Sequence, residues 1–332
     1  MTRAIRGRHP GLAGRASVRD SGVPLFRSNQ PTGPSDAELR AAEVDLERIR
    51  QGGIPLGAEQ RLRRVAEQTD PFFTSDLSSK EYALAQASGL QPVSQVMGSS
   101  VVQHGWGVGQ TYYYSGEITA LSDPWNLARD RAFGRLEQEA RLAGADAVIG
   151  IEMSHRAIGD PNNVELVVFG TAVRDRALPR RAAGFGSCTL SGQDVDKLRR
   201  IGAEVCGVVG HTTVLCVQLS MTSNWVMNSS GWLGGAGAQN MEISEISHGV
   251  AAARSRAMAE VHRQAAVAGA NTIVVSTLRH SIDHREYEQA VGMRYHLFYV
   301  TMNVLGTAIK LDAHPPHPAP LQAPMMSINL GS

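Results

Sequence analysis

The chain has 332 residues, 42% of them hydrophobic and 19% charged, with a formal net charge of +1. That is enough apolar material for the cores of two ordinary domains, and a charge so near zero excludes a global pull toward nucleic acid or an acidic membrane surface. Three cysteines, Cys188, Cys206 and Cys216, form no Cys-x-x-Cys pair, which excludes a disulfide framework or a zinc ribbon and reads as a reduced, intracellular chain. No apolar run approaches the roughly 20 residues that span a bilayer. The first residues lack the apolar segment of a secretory signal, so a cytoplasmic protein is expected.

Residues 1–35 carry Arg3, Arg6, Arg8, Arg15 and Arg19 among glycine, serine and proline, the composition of a disordered basic arm. Scattered arginines without aromatics favour a solvated tail over a tether for an anionic partner. From Ser35, an N-cap, Leu39, Ala42, Val44, Leu46 and Ile49 predict a helix over Ala37–Arg50 that Gly52-Gly53 ends. A second short helix comes next, at about 58–68. Residues 36–70 thus read as a helical accessory hairpin, either lying on the domains C-terminal to it or making an oligomer or partner contact.

A first unit, 71–178, begins near Phe72. Leu77-Ser78 precede a short helical turn ending near Gly89, and Val93–Val102 reads as a strand. After Gly105-Trp106-Gly107-Val108-Gly109, Tyr112–Leu121 reads as a second strand, and the two suggest a hairpin. Asp123-Pro124 supplies a cap and a pre-set first turn for a helix. Its apolar positions Leu127, Phe133, Leu136, Ala140 and Ala143 recur at helical spacing, with Arg129, Arg135, Glu139 and Arg141 off that stripe. Gly144 suits a left-handed exit, and Ala147–Met153 and Val164–Val173 complete the sheet.

The same plan returns over 186–311. Arg129-Asp130-Arg131-Ala132, leading to Gly144-Ala145-Asp146, is answered by Arg254-Ser255-Arg256-Ala257, leading to Gly269-Ala270-Asn271, at a constant offset of 125 residues. Leu190-Ser191, Gly202 and Gly210 answer Leu77-Ser78, Gly89 and Gly98. Met258, Val261, Ala265 and Ala268 answer the buried stripe. Gly306-Thr307-Ala308 matches Gly170-Thr171-Ala172 at an offset of 136, so about eleven residues around Ser281–Gly292 are inserted between the last two strands. Met221–Ser230 lengthens the second hairpin ahead of a Gly-rich tip at Gly231-Trp232. Self-similarity at this scale predicts two tandem modules that pack or oligomerise alike. The tail, 312–332, is different in kind. His314-Pro315-Pro316-His317-Pro318-Ala319-Pro320 is stiff and cannot join a sheet, and Met325–Leu330 is a short apolar end. That is the layout of a docking peptide for a protein partner or of a disordered terminus.

Arg-x-x-Ala before a helix, then Ala-Gly-Ala-Asp-Ala-Val-Ile-Gly-Ile at 143–151 and a closing Gly-Thr-Ala-Val at 170–173, resembles the YbjQ family, also named the "putative heavy-metal-binding" domain family. The resemblance is close over about 72–176 and looser over about 187–311, where Asn271 replaces the acidic residue and Ser276 the glycine-isoleucine continuation. It implies an α+β fold of two tandem βαββ-type, dodecin-like domains with antiparallel sheets, assembled into five-fold rings. Elementary physics agrees on assembly, because a βαββ unit leaves sheet edges that invite pairing and a closed cyclic oligomer removes them. The expected partner is therefore a second copy of the chain, with no nucleic acid and no membrane.

The family's label points to a heavy-metal ion. Cys206 and Cys216, read as lying on adjacent strands that flank Gly210-His211, could meet across a hairpin with His211, a donor set for a thiophilic ion. Buried cysteines in apolar strands are more often small hydrophobes, and the first unit has none. His155 and His280 stand at equivalent positions, nine residues beyond Asp146 and Asn271, and could line a ring interface. His280, Asp283, His284 and Glu286 have the spacing of a metal site only if the insertion folds into a helical turn. The candidate ligands are thus Cys206, His211, Cys216, His280 and His284. Catalysis finds less support. Gly105-x-Gly107-x-Gly109 lacks the last glycine of a dinucleotide loop. Ser99, Ser100, Thr212 and Thr213 have no base and orienting acid at a recognisable spacing, and Glu137 becomes His262 in the second copy. The expectation is a non-enzymatic, ring-forming protein that binds a metal or small ligand; the alternative is a structural scaffold or shell-forming protein that docks through its tails.

Overall fold

A computed structural model describes residues 35–67, 77–103, 115–158, 160–175, 186–229, 242–288 and 294–311. The basic arm before Ser35, the Gly-rich tips and the Pro-rich tail lie outside the described residues. Met1–Glu43 and Val44–Ser332 are separate compact units. Of the first, the opening of helix α1 (Asp36–Arg50) is described, and Ser35 and Glu38 close it reciprocally, each side chain accepting the other's backbone N–H. In the second, α2 (Leu56–Glu67) buries Leu62 beside Ile54 and Ala143, and Arg48 pairs with Glu59.

The remaining elements form two copies of one topology. In the first, α3 (Ser79–Ala87), β1 (Leu90–Gln103), α4 (Thr119–Leu142), β3 (Ala147–Ile158) and β4 (Asp160–Asp175) give an antiparallel sheet in the order β1-β4-β3. In the second, α5 (Gly192–Arg200), β5 (Glu204–Gln218), α7 (Ser244–Val267), β6 (Thr272–Glu288) and β7 (Arg294–Lys310) repeat that order as β5-β7-β6. Ser78 and Ser191 cap the leading helices, and both sheets bulge opposite Gly170 and Gly306. The fold is α+β with tandem βαββ units, as the sequence implies.

Small residues set how closely each long helix lies on its sheet. Ala128, Ala132 and Ala140 of α4 pack with Val96, Val168 and Leu166, and Ala253, Ala257 and Ala265 of α7 pack with Val300, Met302 and Val304. Contact is closest at Gly98, where a Cβ would fall 1.9 Å from the Ala132 carbonyl oxygen.

Four local expectations are corrected. Among the described residues of Tyr112–Leu121, only β2 (Gly116–Glu117) is strand, and it pairs with β5 of the second copy, not with β1. The helix starts at Thr119, since Ile118 and Leu121 are drawn into an apolar cluster with Val214, Cys216 and Leu297; Pro124 therefore lies inside α4. Its missing N–H would have served the carbonyl of Ala120, an exposed residue whose oxygen water can satisfy. The buried stripe runs through the alanines instead of Leu127, which is exposed, while Arg129 and Glu139 are buried. Arg129 is held by Asn126 and Asp130, and Glu139 accepts the Met97 N–H at 3.0 Å. In α7, Met258 is half-buried and Ala268 exposed. Finally, Met221–Ser229 is a helix, α6, and the described part of the insertion extends β6.

Candidate functional site

The two copies differ at their sheet edges. An edge strand presents a row of unpaired N–H and C=O groups. Along β3 that row is met by the segment leading into the second copy. Cys188 N donates to Val148 O at 2.8 Å, Gly150 N to Leu190 O at 2.8 Å and Ile151 N to Cys188 O at 3.1 Å. Cys188 and Leu190 are buried there with Ala85, Ile149 and Ile309, and Thr189 N donates to Thr307 Oγ1 at 3.0 Å. The outer edge of β5 is gripped by α4. Asn126 Oδ1 accepts from Thr212 N at 2.9 Å, Asn126 Nδ2 donates to Thr212 O at 3.0 Å, and Ser122 Oγ accepts from Val214 N at 2.9 Å.

On the second copy the corresponding surfaces are open. Among the described residues no strand or segment pairs with the outer side of β6, and Val274, Val275, Leu278 and Ile282 are exposed along it. Ser247 and Ala251, at the positions of Ser122 and Asn126, are also exposed.

The thiol candidates do not converge. Cys206, His211 and Cys216 lie on one strand, β5, and ten residues of strand separate the two sulfurs' Cα atoms by about 33 Å. Cys206 and His211 line a cleft of about 600 Å³ between α4 and α7, with Arg129, Glu260 and Gln264. Burial, then the Arg129 charge, holds His211 below the usual imidazole range. Cys216 is buried in the cluster with Ile118 and Leu121, and burial raises its thiol pKa. Burial likewise pushes the Cys188 thiol up to about 12. His155 and His280 do share one register, opposite Leu166 and Met302. His155 packs edge-on against Trp125, with ring centroids 5.2 Å apart, and His280 is exposed.

His284 has closer company. Because the insertion forms a strand, His284 and Glu286 share a face and Asp283 points the other way. The register sets Glu286 opposite His296 and His284 opposite Phe298, so donor atoms of His284, Glu286 and His296 all lie within 4.8 Å of one another. His284 Nε2 is 2.8 Å from His296 Nδ1, and Glu286 Oε1 is 3.6 Å from that same nitrogen. His296 is 5% exposed, and its pKa is lowered by burial first, against the opposing pull of Glu286. Its Nε2 meets Asn228 Oδ1 at 3.1 Å, while Asn228 Nδ2 donates to the Arg294 carbonyl at 2.9 Å. Local spacing does not reveal His296, since only the β6–β7 register and helix α6 bring its partners together.

A family model described as "Putative heavy-metal-binding" matches residues 78–176. An encapsulin nanocompartment protein of Mycobacterium tuberculosis is 34% identical over 213 residues, covering 61% of this chain and 76% of that protein. A UPF0145 protein of Clostridium novyi is 36% identical over 89 residues, 26% of this chain and 85% of its own length, and one of Lacticaseibacillus casei is 32% identical over 102 residues, 30% and 89% respectively. The sequence motif, the duplicated topology and these relatives agree that the chain belongs to the YbjQ (UPF0145) family, as a tandem duplication.

Proposed function

We propose that this chain is a non-enzymatic, cytoplasmic assembly protein whose copies join head to tail into a closed ring that serves as a scaffold of a protein shell. The observation that carries this reading is the contrast between β3, whose edge is completed by the next module's leading segment, and β6, whose equivalent edge has no partner among the described residues. The first module has its own version of that segment. Phe72-Phe73-Thr74-Ser75-Asp76-Leu77-Ser78 aligns with Phe185-Gly186-Ser187-Cys188-Thr189-Leu190-Ser191, sharing the phenylalanine, the leucine and the capping serine. By sequence Ser75 stands where Cys188 does, and Ile273 and Ser276 of β6 stand where Val148 and Ile151 of β3 do, so this segment is the proposed occupant of β6 in another copy. A head-to-tail contact of this kind is heterologous and must close into a ring or grow into a filament.

The five-fold order rests on the family resemblance. The shell comes from the name of the Mycobacterium tuberculosis relative, and the tail at 312–332 is assigned to partner docking. No helix among the described residues is long and apolar enough to cross a membrane. Native mass spectrometry of the full chain, Ser75→Pro and a chain ending at Leu311 tests the reading. The wild type should be a closed oligomer, the proline variant a folded monomer, and the shortened chain a ring that no longer joins larger particles. A monomeric wild type, or an oligomer that Ser75→Pro leaves intact, would overturn it.

A further inference from the structure

We infer that His284, Glu286 and His296 form a site for a borderline divalent transition ion of the zinc class, built by the segments that the second repeat added and absent from the first. The insertion supplies His284 and Glu286, while the added helix α6 supplies the residues that orient His296. Asn224 Oδ1 accepts from His296 N at 3.0 Å and its Nδ2 donates to the Arg294 carbonyl at 2.8 Å, fixing the strand where the histidine stands. Asn228 fixes the ring. Its amide orientation is set by the bond to the Arg294 carbonyl, so its Oδ1 takes the Nε2–H of His296 and leaves Nδ1 as a lone pair aimed at His284 and Glu286. Metal-bound histidines are held in just this way, with the non-ligating N–H on a carbonyl.

The donor set decides the class of ion. Two imidazoles and one carboxylate suit zinc and its neighbours, not magnesium or calcium, which want oxygen. The soft metals that favour thiolates have no convergent cysteines on which to bind, since Cys206 and Cys216 stand far apart on β5 and Cys188 is buried. Two nitrogens on one zinc ion lie about 3.3 Å apart, given bonds of about 2.0–2.1 Å. The present 2.8 Å would open by about half an ångström, and His284, being exposed, is the ring free to move. His284 stacks on Phe298 with centroids 4.7 Å apart, which keeps its nitrogen near the pair as it shifts. The place outside the family-matched segment 78–176 makes this a property of this duplicated chain and independent of the assembly reading.

Calorimetric titration of the tag-free full chain with zinc chloride, and separately with magnesium chloride, tests the site. One zinc per chain is expected, with a rise in melting temperature and no magnesium heat. His284→Ala and Glu286→Ala, both at exposed positions, should each weaken binding at least tenfold; Asn228→Ala should weaken it about tenfold through ring orientation. His280→Ala, on the same face of the strand, should leave it unchanged. Absence of saturable one-to-one zinc binding, equal binding of magnesium, or undiminished zinc binding by both His284→Ala and Glu286→Ala would overturn the inference. Native mass measured on the same samples separates this result from any failure of assembly.

Discussion

The two repeats share strand order, bulge position and helix caps, yet β3 of the first is flanked along its outer edge while, among the described residues, its counterpart β6 of the second is not. Around the first, the neighbouring module completes β3 with a three-bond ladder, and α4 reaches out to satisfy the edge of β5 through Asn126 and Ser122. Around the second, the same two surfaces present Val275, Leu278 and Ile282 on β6 and Ser247 and Ala251 on α7. Identical topology with unequal covering teaches that the module was built to be flanked, because an open edge of this length invites pairing with another chain. Duplication provides one flank inside the chain, and in the proposed ring a second copy provides the other.

Substitutions at matched positions can break that comparison. The largest effect is expected at Gly98, where an added methyl would meet the Ala132 carbonyl at 1.9 Å, against 3.0 Å from Leu305 Cδ1 and the Val304 carbonyl at its counterpart Gly210. Gly98→Ala should cost about 3 kcal/mol or more and Gly210→Ala about 1 kcal/mol, as urea midpoints would report. Equal costs would mean that α4 does not lie as close to Gly98 as described. Next, Asn126→Ala strands the backbone N–H and carbonyl of Thr212 and should cost about 2 kcal/mol. Replacing its counterpart Ala251 with serine should change stability by no more than about 0.5 kcal/mol in the dissociated chain.

Acid gives a smaller effect with a definite sign. Burial lowers the pKa values of His155, His211 and His296 in the folded chain, whereas in the unfolded chain they titrate near 6.5. Below that value the unfolded state binds more protons, so stability that is complete above about pH 6.5 is lost progressively as the pH falls toward the lowered folded values. The carboxylates of Glu245 and Glu260, held down to about 2, act only below the ordinary carboxylate range and do not mask this window. Glu137 and Glu139, raised by burial, oppose this trend nearer the carboxylate range, so the urea midpoint should fall between pH 7.5 and 6; a rise there would contradict the lowered histidine values. The smallest effect is kinetic. Cys188, buried at the seam between the repeats with its thiol near 12, should react with a thiol reagent far more slowly than half-buried Cys206. Matching rates would mean that the seam opens readily.

Much of the fold is legible in the sequence because duplication repeats its own signals. Two glycine exits, two serine caps and one constant offset mark the modules, since each signal acts within a few residues of its cause. The features that escape a local reading are set at a distance. Asp123-Pro124 has the form of a helix start, but docking of Ile118 and Leu121 against Val214 and Cys216 pulls the helix one turn earlier. Leu127 and Phe133 outweigh the alanines by hydropathy, although close helix–sheet approach selects small residues. For the candidate metal ligands, a helical-turn requirement hides the alternating strand, and His296 belongs to a partner strand whose register no local spacing encodes.

Backbone amide exchange on β6 tests the head-to-tail arrangement most directly. In the full-length particle under native conditions, the Val275 and Ser276 amides should be protected as strongly as Gly150 and Ile151, their counterparts on β3, and should lose that protection in Ser75→Pro. Rapid exchange at Val275 and Ser276 while the particle stays assembled would show that β6 is not where copies meet.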